Sequence, residues 1–178
     1  MLITKQQRFL LDALGRVGGL RKNQMVSLLC PVFCAKKPEI APQIVAAALR
    51  QFSGGDVRLC DDGGVIRLQG TEQADEKLLD AVDVMLQLAG ANLVDYWRGN
   101  PPVLLRFCVQ AQKVRTFSVA TYGPDVFTAS FPPHERIILL FDGQGQPQAL
   151  PVSNKQFIAV RQENETHRFF ALDGKKQS

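Results

Sequence analysis

Histidine is almost absent from this chain. There are two in 178 residues, alongside one tryptophan, two tyrosines and four cysteines. No motif sets an acid or a nucleophile beside His134 or His167, so Ser-His and Cys-His catalysis is not indicated, and turn and strand-surface roles are expected for them. Cys30, Cys34, Cys60 and Cys108 show no repeated CxxC spacing. They are expected to be free, mostly buried thiols in a reducing compartment. The alternative, Cys30 and Cys34 as half of a zinc site, lacks a histidine or a second close cysteine pair to complete four ligands. No apolar run approaches the roughly 18 residues that cross a bilayer. The N-terminus "MLITKQQRFLLDALG" is amphipathic, unlike a charged segment followed by an apolar leader. A cytoplasmic protein with no membrane partner is the expectation, and no cofactor or small-molecule substrate is indicated.

What the chain does have is an uneven distribution of charge. Residues 1–70 carry ten Lys/Arg against five Asp/Glu, a net +5, and the remainder carries eleven against twelve, a net −1. A basic front on a nearly neutral back fits either a surface that meets a polyanion or a solvated basic face without a partner.

The front half has the grammar of helices followed by a hairpin. Thr4 and Gln7 are spaced as a capping box, and Phe9, Leu10, Ala13, Leu14 and Val17 recur at helical spacing until Gly18-Gly19. The segment "LRKNQMVSLLC" predicts a short second helix with Met25, Leu28 and Leu29 inside, stopped by Pro31. A third helix is expected to start near Pro42. It buries Ile44, Val45, Ala48, Leu49 and Phe52 and leaves Gln43, Ala46, Ala47, Arg50 and Gln51 outside. In "DVRLCDDGGVIRLQG", residues 56–70, a turn centred on Asp62-Gly63 places Arg58 directly opposite Arg67 on the outer face, where a phosphate would relieve their repulsion. The longer turn Asp-Asp-Gly-Gly would slip that register by one. Three helices and a hairpin are the order of a winged helix-turn-helix domain, whose third helix enters the major groove. Lys36, Lys37, Gln43, Arg50, Arg58 and Arg67 are therefore the candidate DNA-binding residues. The exposed face of the third helix offers few groups for reading bases, so either contact is mainly electrostatic or the domain holds a protein partner or a second copy of the chain.

The back half, residues 71–174, predicts a helix opened by Thr71, Glu72, Asp75 and Glu76 with Leu78, Leu79, Val82, Met85, Leu86 and Ala89 inside. Strand-like runs follow: "NLVDYW", "PVLLRFCVQ", "VRTFSVATY", "RIILLFD", "KQFIAVRQ" and "HRFFAL". A short helix is expected between Gly123 and Pro133, and residues 175–178 are expected to fray. Tyr96 and Trp97 are either core or a stacking surface for bases. The expected fold class is α+β, a winged helix-turn-helix domain at 1–70 followed by a mixed-sheet α/β domain.

With "LITKQQRFLLDALGRVGGLRKNQM", the hairpin, "RTFSVATYG" and "ERIILLFDGQGQ", the chain resembles uncharacterised bacterial winged-helix proteins similar to the replication-relaxation family of plasmids and conjugative elements. The resemblance implies a DNA-associated role in mobile-element biology and a second domain related to the restriction-endonuclease-like fold, here degenerate. Nucleases of that fold hold magnesium on two carboxylates beside a lysine. Pro124-Asp125 and Asp142-Gly143-Gln144 echo the carboxylate spacing, but the lysine is missing. A non-enzymatic DNA-binding protein is therefore expected, with a protein-interaction module as the alternative and a metal-dependent nuclease as a weaker one.

Overall fold

The computed structural model describes residues 3–53, 58–71 and 74–172. Contacts divide the chain into two compact units, Met1–Leu79 and Asp80–Ser178, so the division falls inside a helix, beyond the Gly70-Thr71 turn. The architecture is α+β: among the described residues there are four α-helices, a three-stranded sheet and a six-stranded mixed sheet.

In the first unit, helix α1 (Lys5–Val17) begins on the expected capping box. Thr4 Oγ1 accepts from the Gln7 N–H at 3.2 Å, and the Thr4 N–H donates to Gln7 Oε1 at 2.8 Å. It ends where Gly18 takes φ 89°, a left-handed conformation that glycine adopts without a Cβ clash. Leu20–Arg21 then form a short strand, β1, which pairs with a hairpin strand. Helix α2 (Lys22–Phe33) runs through Pro31, which does not stop it. Proline there sits in the last turn, and the Cys34 N–H still donates to the Cys30 carbonyl at 2.9 Å, so only one ladder bond is lost. Helix α3 (Ala41–Ser53) follows a single 3-10 turn at Pro38–Ile40, with Pro42 in its first turn, where an N–H has no partner in any case. Ala41, Val45, Ala48 and Phe52 are its fully buried residues, and Ile44 and Leu49 are half-buried.

Strands β2 (Leu59–Asp62) and β3 (Val65–Leu68) complete an antiparallel sheet in the order β1-β3-β2. The hairpin register corrects the expected one. The central turn residues are Gly63-Gly64, and Cys60, not Arg58, lies opposite Arg67. Gly63 and Gly64 have φ 63° and 92°. This two-residue hairpin turn needs φ positive at both central residues, which two glycines adopt without a Cβ clash.

Helix α4 (Glu76–Ala89) spans the division between the units. Asp75 caps it, accepting from the Leu78 N–H at 2.8 Å, whereas Thr71 donates its hydroxyl to the Leu68 carbonyl at 2.7 Å. Glu72 lies outside the described residues. All six expected strands are present: β4 (Leu93–Arg98), β5 (Val103–Val109), β6 (Arg115–Thr121), β7 (Arg136–Phe141), β8 (Gln156–Arg161) and β9 (His167–Leu172). They lie side by side in chain order, with β6-β7 and β7-β8 parallel and the other pairs antiparallel. The expected short helix is a 3-10 segment at Pro124–Thr128.

Register pairs place Val103, Ala120, Leu139, Ile158 and Phe170 in one row across β5 to β9. Val126, Phe131 and Leu150 join this row in a core cluster on that face of the sheet. Gln156 holds part of the covering chain in place, since its side chain accepts from the Leu150 N–H at 2.6 Å and donates to the Leu150 carbonyl at 3.0 Å. On the opposite face Phe107 and Phe117 stack with centroids 5.0 Å apart.

Candidate functional site

The six sequence candidates separate into two groups. Lys36 and Lys37 are exposed in the link that enters α3, and Gln43 and Arg50 are exposed two turns apart on α3 itself. From residue 22 to residue 53 the sequence holds Lys22, Lys36, Lys37 and Arg50 against the single acid Glu39. Among the described residues Lys36, Lys37 and Arg50 form no ion pair. Gln51 is exposed, but its amide oxygen accepts from Gln7 Nε2, which ties the last turn of α3 to the first turns of α1.

The hairpin behaves differently. Arg67 is half-buried, and its Nε contacts Asp62 Oδ2 at 2.6 Å; this hydrogen bond raises the guanidinium pKa further. Lys22 Nζ contacts Asp61 Oδ2 at 3.1 Å, while Asp61 Oδ1 accepts from the Gly64 N–H at 2.9 Å. The Lys22 ammonium, with Gly64 second, holds the Asp61 carboxyl below its ordinary value. The expected clamp of facing arginines is therefore absent: Arg67 is engaged with Asp62, and Arg58 is exposed, its carbonyl accepting from the Gln69 N–H at 2.9 Å.

All four cysteines are free thiols; Cys34 is buried, and that burial, followed by Cys30 and Glu39, pushes its thiol pKa up. Among the described residues no group of three or more His, Cys, Asp and Glu side chains could hold a metal ion. Asp125 and Asp142 are both exposed, and each follows the C-terminal end of one of the adjacent parallel strands β6 and β7. Asp142 caps its own turn, accepting from the Gln144 N–H at 3.0 Å. His134 is exposed in a turn, as expected. His167 is not a surface residue: it is 4% exposed, because β9 turns it inward and its backbone is bonded on both sides to the Gln87 side chain of α4.

A polar cluster that sequence reasoning missed lies on the six-stranded sheet. Register places Trp97, Arg106, Ser118 and Ile137 in one row across β4 to β7. Arg106 Nε donates to Ser118 Oγ at 3.3 Å and to Glu135 Oε2 at 3.4 Å, and the Ser118 hydroxyl also donates to Glu135 Oε2. Ser118 is fully buried and Glu135 is 9% exposed, whereas Trp97 is 39% exposed. Tyr96, its neighbour, faces the other way and is buried. The signal in the sequence was Arg106 interrupting the apolar strand "PVLLRFCVQ".

Compared with known protein families, with curated proteins and with solved structures, the chain finds no match.

Proposed function

We propose that this protein binds duplex DNA without enzymatic activity, through the first unit folded as a winged helix-turn-helix. The observation that carries the reading is α3: a helix without acidic residues, entered through Lys36-Lys37, with Gln43 and Arg50 on its exposed side. The element order α1-β1-α2-α3-β2-β3 and the strand order β1-β3-β2 support the winged-helix assignment. Helix α3 is then the groove-entering element, Lys36, Lys37 and Arg50 neutralise phosphates, and Gln43 reaches base edges. Arg58 supplies a phosphate contact from the hairpin; Arg67 supplies none, because Asp62 holds it.

Lack of catalysis is part of the same proposal. Asp125 and Asp142 lack a lysine partner in the sequence pattern, which argues against a nuclease built on a restriction-endonuclease-like second unit. A cytoplasmic, accessory or regulatory role in mobile-element replication or transfer rests on the sequence resemblance alone.

The test is duplex binding by the full chain over a range of salt. Affinity should fall steeply with salt, because each neutralised phosphate releases counterions. The triple variant Lys36→Ala, Lys37→Ala, Arg50→Ala should flatten the log-log slope by about two to three units. Absence of salt-dependent binding in the parent chain would overturn the DNA reading in favour of a protein-interaction module. Metal-dependent cleavage abolished by Asp125→Ala or Asp142→Ala would overturn the non-enzymatic part.

A further inference from the structure

The outer edge of β9, the last strand of the six-stranded sheet, is stopped at one residue and left bare at the next two that face outward. In an antiparallel ladder, residues bonded to the neighbouring strand alternate with residues whose N–H and C=O point away from it. The Gln162 N–H donates to the Thr166 carbonyl at 2.8 Å, and the register continues from that pair to Val160–Arg168, Ile158–Phe170 and Gln156–Leu172. Arg168, Phe170 and Leu172 therefore bond to β8, and His167, Phe169 and Ala171 point outward. At His167 one side chain takes both outward groups. The His167 N–H donates to Gln87 Oε1 and its carbonyl accepts from Gln87 Nε2, each at 2.8 Å, so the amide from α4 stands in for a strand. Phe169 and Ala171 have no such partner among the described residues. The core row ends at the same place: Phe170, last in line after Ile158, is 46% exposed. Natural edges discourage pairing with lysine, proline or a bulge. The run Phe169–Leu172 has no lysine, no proline and no register shift.

We infer that β9 pairs antiparallel with β9 of a second copy of this chain, about a twofold axis through Phe170. Phe169 then faces Ala171 of the second copy, and Ala171 faces its Phe169, each pair exchanging both N–H···O bonds. The two Phe170 side chains meet in the non-hydrogen-bonded pair between them, where side chains come closest and an aromatic pair is favourable. The core row thereby runs on through both rings into the second copy. Two features select a second copy over a foreign strand. Gln87 closes the edge at His167, which a long strand would need; a copy centred on Phe170 sets its Leu172 opposite Arg168 and ends before that block. Charge order is the other feature: in the sequence Glu163 and Glu165 precede β9, and Lys175 and Lys176 follow it. Antiparallel copies direct each acidic turn toward the other copy's lysines, whereas parallel copies would set like charges side by side. The inference is independent of the DNA reading, which concerns the first unit.

Sedimentation equilibrium of the full chain should show a reversible step from monomer to dimer and no larger species, because a twofold pair uses up the edge it forms on. Phe170→Lys puts a charge at an exposed position of the edge and should weaken the dimer by about tenfold or more while leaving the thermal midpoint of the monomer unchanged. Ala171→Pro removes an N–H that points away from β8 and should weaken the dimer as well. Glu163→Lys with Glu165→Lys should weaken it, and so should Lys175→Glu with Lys176→Glu; the chain carrying all four changes should recover the parent affinity. That recovery depends on both partners being copies of this chain in antiparallel order. Four outcomes each overturn the proposal: a chain that stays monomeric at every concentration, growth beyond the dimer, a dimer indifferent to Phe170→Lys, or no recovery in the charge-swapped chain. Indifference to Phe170→Lys would place the contact elsewhere, for example in the first unit.

Discussion

Two arginines, each in a β-strand and each near a carboxylate, end in different states. Arg67 meets Asp62, five positions away, across a tight hairpin at 2.6 Å. Arg106 meets Glu135, twenty-nine positions away, at 3.4 Å through a nitrogen it shares with Ser118. The hairpin pair is local and joins a half-buried arginine to an exposed aspartate, so it forms wherever the turn forms. The sheet pair exists only when β5, β6 and the start of β7 are assembled. Proximity in sequence makes a charge pair easy to form; separation makes it depend on the assembled sheet.

The largest effect expected tests whether each unit has a core of its own. Phe52 and Phe107 are each fully buried, one in each unit. Phe52→Ala and Phe107→Ala should each destabilise by about 3–5 kcal/mol in urea unfolding. Trp97 emission follows the second unit, so a loss smaller than 1 kcal/mol at ~25 °C in Phe107→Ala would break the comparison.

Next comes the difference between the two ion pairs. Glu135→Ala removes the acceptor of both Ser118 and Arg106 and should cost about 2 kcal/mol. Asp62→Asn removes an exposed pair and should leave the unfolding midpoint within error. Equal effects would show that separation along the chain is irrelevant to what these pairs contribute.

In DNA binding the contrast lies within the hairpin. Arg58→Ala should lower the log-log salt slope by about one unit, whereas Arg67→Ala should leave it unchanged. The reverse result would show that Asp62 releases Arg67 on binding.

The smallest effects are expected in pH dependence, and they separate the units because both histidines lie in the second one. Burial lowers the His167 pKa from its ordinary 6.5; Asp80 and Asp83 pull it up and Arg161 presses it down. In the window between 6.5 and the lowered folded value the unfolded chain binds more protons, so stability falls as pH drops through it. Asp61, lowered from 3.8, contributes stability above that value and loses it only as pH falls through its folded value. Thermal melts followed from neutral to acid should weaken the second unit first. His167→Gln should remove that upper step and leave the lower one.

Much of the fold was legible before any coordinates. The six strands of the large sheet, the capping box of α1, the start of α3 at Pro42 and the 3-10 segment after Gly123 are set by residues within a few positions of each other. Legibility failed where a distant partner decided. Pro31 looked like a stop, but a missing donor in a last turn leaves only one carbonyl without its bond. Leu20-Arg21 looked like the approach to a helix and became β1, because Ile66 and Val65 lie beside them. In the candidate DNA surface, Lys36, Lys37, Gln43 and Arg50 were visible as exposed positions, whereas the engagement of Arg67 depended on the register.

The sequence by itself determined the order of the four α-helices and the strands of the large sheet and that the positive charge gathers in the first half, because periodicity, caps and charge counts are local properties. Only the tertiary structure decided that Gly63-Gly64 rather than Asp62-Gly63 make the turn, which strand Leu20-Arg21 joins, and that Trp97, Arg106, Ser118 and Glu135 meet on one sheet face. Each of these is a pairing across chain, and side-chain alternation by itself is satisfied equally by registers two residues apart.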